Sequence, residues 1–191
     1  MVALAFRTVT YKAALLVLSL VFFSCAAKLP YSLNYPLTQE TFRSHDGSFV
    51  GLIPQGWFSA SEDTLAAAQL AWLVKEDFSA VLTVHELHLD RLTLARVQKE
   101  GLALLGQISL SMHADDLFSS VIIQPKEFSM SGKNFCGYEV KDNIGQKRIV
   151  VFSVNGKFYE SEAVPVKGMW KPEETEKLFM AQQAFLSTLA F

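Results

Sequence analysis

Cysteine is almost absent from this chain: there are two in 191 residues, Cys25 and Cys136. The fold therefore cannot be a disulfide-stapled scaffold and must rest on core packing. Positive charge is no more plentiful. Seventeen Lys and Arg stand against 19 Asp and Glu, for a formal charge of −2. No basic stripe or RNA-binding aromatic signature occurs, which speaks against nucleic acid as a partner. Long apolar runs are missing too. The longest, over 13–23, is interrupted only by the hydroxyl of Ser19. About eleven residues of helix span roughly 16 Å, against a hydrocarbon core of about 30 Å. Also absent are a Gly-x-Ser-x-Gly elbow, a phosphate loop and a dinucleotide-binding glycine pattern. The expectation is a chain that is not an enzyme and needs no cofactor.

The run over 13–23 has a particular setting. Arg7 and Lys12 precede it; Ser24, Cys25, Ala26 and Ala27 follow. A basic start, a short apolar stretch and small residues at its end are the layout of a secretory signal peptide. With a cysteine at the cleavage point, the segment resembles that of a bacterial lipoprotein. The fit is carried by Ser24, since Phe22 and Phe23 depart from the usual small or aliphatic residues. The resemblance implies that residues 1–24 are removed and that Cys25 receives the lipid that holds the protein to a membrane. Ala26, where an Asp would favour retention at the inner membrane, points to the periplasmic face of the outer one. An ordinary signal peptide cut near Ala26 or Ala27, and an uncleaved membrane helix, are the alternatives.

Residues 25–41 contain Pro30, Pro36 and few charges, and read as a tether. The globular domain is expected over 42–191, long enough for a core of its own. His45-Asp46-Gly47 is turn chemistry before a strand over 48–54, and Gln55-Gly56 turns into Trp57. Residues 64–76 have helical propensity, with Ser59 and Glu62 as a capping box. The competing reading, preferred here, pairs 69–75 with 80–89 in a hairpin. Asp90 caps a helix over 92–112, with Leu94, Val97, Leu104, Ile108 and Met112 on one face. Gly101 and Gly106 within it require close packing as compensation. Strands follow over 128–141, interrupted at 132–134, then over 147–154 and 157–166. Asn155-Gly156 joins the last two in a type I′ turn. Pro172 and the glutamates 173, 174 and 176 open a final helix. Its apolar stripe is Leu178, Phe179, Phe185, Leu186 and Leu189. Strands, a long helix, a meander and a terminal helix make an α+β domain.

Asp46-Gly47-Ser48-Phe49-Val50, Pro54-Gln55-Gly56-Trp57, Asn155-Gly156-Lys157-Phe158-Tyr159-Glu160 and the closing Phe185-Leu186-Ser187-Thr188-Leu189 resemble the PsbP-like family over about 42–191. The resemblance implies an α-β-α sandwich: an antiparallel sheet packed by a long central helix and a C-terminal helix. It also implies a role in docking to other proteins rather than in catalysis, here an envelope protein. The alternatives are a small-ligand-binding protein with an aromatic pocket and, behind it, a hydrolase built from scattered residues.

Few residues stand out as sites. His85 and His88 fall on opposite faces of a strand and cannot share an ion unaided, so no metal site is expected. Cys136, without a catalytic flank, reads as a buried inert thiol. The pairs Asp115-Asp116 and Glu173-Glu174 read as a loop and a helix start. Trp57, Trp72, Trp170 and Tyr159 are the aromatic candidates for a ligand or partner surface. Trp57, Trp170 and Tyr159 lead that set, and Trp170 is expected to be the most exposed.

Overall fold

A seven-stranded antiparallel sheet organises the chain, in the order β3-β4-β5-β9-β8-β7-β6. The computed structural model describes residues 29–60, 69–114, 119–167 and 170–191. Within them, β1 (Leu37–Arg43) pairs with β2 (Val50–Pro54) as a separate ribbon. The sheet strands are β3 (Trp57–Ser59), β4 (Ala71–Lys75), β5 (Ala80–Glu86), β6 (Ser120–Met130), β7 (Lys133–Lys141), β8 (Gln146–Val154) and β9 (Lys157–Pro165). Helices α1 (Arg91–Glu100) and α2 (Leu102–Ala114) connect β5 to β6, and α3 (Pro172–Thr188) closes the chain.

Side-chain alternation sorts the two faces. On β9, Phe158 and Glu160 point one way, and Tyr159, Ser161 and Ala163 the other. The first face packs under α1 and α2, where Val97, Leu105, Cys136, Val151 and Phe158 form one apolar cluster. The second carries the larger core: Phe49, Phe135, Phe152 and Tyr159 beneath Leu178, Phe179 and Phe185 of α3. The result is an α-β-α sandwich with an α+β composition, as expected.

Local chemistry explains most element ends. Asn155 and Gly156 both have positive φ (51° and 79°), the type I′ geometry that lets β8 run into β9 without splaying. Asp90 accepts hydrogen bonds from the backbone N–H groups of Leu92 and Thr93 and so starts α1. The α3 stripe is buried throughout, from Leu178 to Leu189.

Several expectations are corrected. The helix over 92–112 is two helices. Gly101 has φ +85° and donates its N–H to Val97 O, ending α1; the Glu127 carboxylate then accepts from Ala103 N at the start of α2. Gly106 is a close-packing site as expected, since a Cβ there would lie 2.6 Å from Cys136 Sγ. Met112 is 67% exposed rather than on the buried face. The hairpin forms as β4 and β5, while residues 64–68 and Asp115-Asp116 lie outside the described residues. Strand β6 begins at Ser120 rather than 128; its Pro125 is tolerated because β6 is the sheet edge. Residues 29–41 are part of the fold, not a tether. Leu29, Tyr31 and Tyr35 pack against the main core, and Leu37–Arg43 is a strand.

Candidate recognition cleft

Trp57 and Trp170 line one cleft of about 360 Å³ between the β3-β4 edge of the sheet and the start of α3. Trp57 opens β3 with its ring buried, and its Nε1 donates to Tyr35 Oη at 3.2 Å. Tyr35 in turn donates to Gln55 O. Trp170 sits just before α3, with Nε1 donating to Lys167 O at 3.0 Å. It is partly exposed, as expected. The Lys75 ammonium lies 5.6 Å from its ring centre, within reach of a cation–π attraction.

The polar groups of the cleft fall into two sets. Lys75 bonds Asp77 at 2.9 Å and Ser79 at 3.2 Å. The Ser79 hydroxyl, which donates to Asp77 Oδ1, and after it the Lys75 ammonium hold the Asp77 carboxyl down to about 2. Glu174 accepts from Lys171 N and so caps α3. Asp77 and Glu174 are thereby engaged, while Lys167 and Lys177 also line the cleft and make no ion pair among the described residues. An apolar aromatic floor with free ammonium groups at its rim suits an acidic, partly apolar guest.

Tyr159 does not join this cleft. It is 2% exposed and stacks on Phe152 with ring centres 5.4 Å apart. Its position on β9 turns it into the core, so the expectation of a surface role is overturned. Trp72 is half-buried on β4 and is not among the lining residues. Cys136 is fully buried, and burial pushes its thiol up to about 12, far from a thiolate at neutral pH. Cys25 lies outside the described residues.

Two polar clusters escaped the sequence reading. On the α3 face, Arg148 is 1% exposed. It donates to Phe179 O, Gln182 Oε1 and Gln183 Oε1. On the α2 face, Glu160 is 2% exposed. His113 Nε2 is 2.8 Å from Glu160 Oε1, and Ser109 Oγ donates to Glu160 Oε2 and lies 2.6 Å from Tyr138 Oη. His85 Nε2 stands 3.5 Å from Glu160 Oε1, whereas His88 lies past the end of β5, exposed near Glu86. The hydrogen bond to Glu160 raises the His113 pKa. Glu160 itself is lowered: burial pushes it up, but the bonds from His113 and Ser109 outweigh that.

No family model and no curated protein matches the sequence. Solved structures do match in shape. The solution structure of cyanobacterial PsbP from Synechocystis aligns with a TM-score of 0.51 at 11% identity, over 87% of this chain and 96% of that one. The Ran-binding protein Mog1p of Saccharomyces cerevisiae aligns at 0.50 and 12% identity, over 81% of this chain and 95% of its own. At such identities the likeness speaks for the fold alone, and the fold of this chain is PsbP-like.

Proposed function

We propose that the chain is a lipid-anchored protein of the bacterial envelope whose PsbP-like domain docks another envelope protein without catalysis. The observation that carries docking is the Trp57–Trp170 cleft, which offers the partly exposed Trp170 ring and the ammonium groups of Lys167 and Lys177, unpaired among the described residues. Its guest is an acidic segment with an apolar side chain that packs against Trp170 in the cleft. The buried Cys136 thiol, held in its neutral form, supports a non-catalytic role. The cleft volume also falls in the range of small-molecule sites, so a small anionic aromatic ligand is the second reading.

Anchoring rests on the 7–27 layout and on Cys25, and Ala26 favours the outer membrane. Because Leu29 and Tyr31 already pack on the domain, residues 25–28 reach only about 14 Å when extended. The lipid would therefore hold the domain against the membrane surface rather than far above it.

Two measurements test the proposal. The intact mass of protein extracted from membranes should show an acylated species beginning at Cys25, lost in Cys25→Ala; an unacylated species cut at an Ala-Ala site refutes the anchor. A photo-crosslinking residue at Trp170 should trap one partner, and Lys167→Glu with Lys177→Glu should abolish the adduct. An adduct indifferent to those charges refutes the cleft as the docking surface. Loss of a soluble aromatic anion in place of a protein adduct would favour the second reading.

A further inference from the structure

The geometry points to a divalent-metal site formed by His85, Glu160 and Glu162 on the β5-β9 ladder, taking a first-row transition ion such as zinc. Antiparallel register places His85 opposite Glu160 and Thr83 opposite Glu162. Directly opposed residues share a face, and so do residues two apart on a strand. His85, Glu160 and Glu162 therefore project together toward α2. One donor atom from each lies within 4.8 Å of the other two.

The distances suit coordination better than they suit hydrogen bonding. His85 Nε2 and Glu160 Oε1 are 3.5 Å apart, too far for a good N–H···O bond. Ligands at about 2.0–2.1 Å from a tetrahedral ion stand roughly 3.3 Å from each other. The other ring nitrogen of His85, Nδ1, is closed off from solvent and has no hydrogen-bond partner. Nε2, which faces Glu160, is the nitrogen a cation would take, with the ring proton on Nδ1.

Charge argues in the same direction. Glu160 and Glu162 bring two carboxylates to one face, one of them almost fully buried. The groups around them are already arranged as supports. His113 reaches down from α2 to Glu160 Oε1, and Ser109 donates to Glu160 Oε2. Outer contacts of this kind orient a ligating carboxylate. A nitrogen and carboxylate donor set suits zinc and its neighbours rather than a soft thiophilic ion. The site lies on the α2 face, away from the Trp57–Trp170 cleft, and depends neither on a lipid anchor nor on docking.

The test uses the full chain in detergent, stripped with a chelator and titrated with zinc chloride by calorimetry. One zinc per chain is expected. Glu162→Gln, at a half-buried position that should preserve the fold, should weaken binding by about 10-fold or more. His85→Gln should do the same, while His88→Gln, on the exposed side, should leave the affinity unchanged. Circular dichroism checks that each variant is folded. No zinc binding by the unmodified chain overturns the site. So does equal affinity in the unmodified chain, Glu162→Gln and His85→Gln, because the ion would then sit elsewhere. Should His85→Gln unfold, Glu162→Gln decides alone.

Discussion

Under α3 the sheet buries a cation, Arg148; under α2, on the neighbouring strand, it buries an anion, Glu160. The two faces satisfy these charges differently. Arg148 is met by three neutral oxygens, those of Phe179, Gln182 and Gln183. Its guanidinium carbon also lies 4.8 Å from the Tyr31 ring centre and 5.6 Å from that of Phe128. Burial lowers the guanidinium to about 10, which still leaves it charged at neutral pH. Glu160 is met instead by His113, a group that titrates near neutrality. The Arg148 charge is therefore fixed across ordinary pH, whereas the His113–Glu160 pair is tunable. The Arg148 face holds the large aromatic core; the Glu160 face holds the candidate metal ligands.

The largest break in this comparison is Arg148→Ala. It opens a cavity beneath α3 and leaves the Gln182 and Gln183 carbonyl oxygens without their donor, at a cost of about 3–5 kcal/mol. Urea unfolding should show a markedly lower midpoint. Glu160→Gln should cost less, about 2–3 kcal/mol, since Ser109 and Tyr138 keep their mutual bond while His113 loses its charged partner. A larger loss in Glu160→Gln than in Arg148→Ala would reverse the ranking of the two faces.

The same variants sharpen the contrast through pH. The folded pKa of His113 is raised, so its contribution is fully present below its unfolded value near 6.5 and is lost as pH rises through the folded value. That of Glu160 is lowered, so its contribution is present above an unfolded value near 4.5 and is lost as pH falls through the folded value. Both operate between those unfolded values, and stability measured without zinc should be greatest there. In Glu160→Gln the decline above that window should flatten. In Arg148→Ala it should persist, because Arg148 stays charged throughout this range. A decline unchanged in Glu160→Gln would assign the pH dependence to other groups.

Much of the architecture was legible because its signals are local. Asn155-Gly156, Asp90 and Pro172 with its glutamates each act within a few residues, and each sits where the sequence places it. The meeting of Trp57 with Trp170 was half legible: both were marked, but the strand parity that turns Tyr159 into the core was not applied to it. The buried clusters were not legible at all. Arg148 stands beside Ile149, Val150, Val151 and Phe152, and nothing nearby in sequence shows that Gln182 and Gln183 will descend on it. Likewise His85, His113 and Glu160 meet only through the β5-β9 pairing and the lie of α2. Residues 29–41 read as a linker from their prolines and few charges, while their partners, such as Gln183 and Glu139, are far along the chain.

The smallest effect expected concerns how that N-terminal segment completes the Arg148 face. Tyr31 lays its ring against the Arg148 guanidinium and donates its hydroxyl to Glu139 Oε1 at 2.5 Å. Its backbone carbonyl accepts from Gln183 Nε2. Burial and the Glu139 carboxylate raise its phenol, keeping it a donor at any ordinary pH. Tyr31→Phe keeps the ring and the backbone bond but removes one donor from Glu139, which is 4% exposed and retains Gln146 at 2.6 Å. The expected cost is about 1 kcal/mol, read as a small fall in the urea midpoint. Tyr31→Ala should cost more, because it also uncovers Arg148 to water and strips away the aromatic face. If the two variants cost the same, the hydroxyl carries the attachment and the ring adds little; a neutral Tyr31→Phe means that the ring and the Gln183 bond hold the segment in place. Either way, the cation under α3 is closed off by a segment outside the sheet, whereas the anion under α2 is closed off by the helix above it.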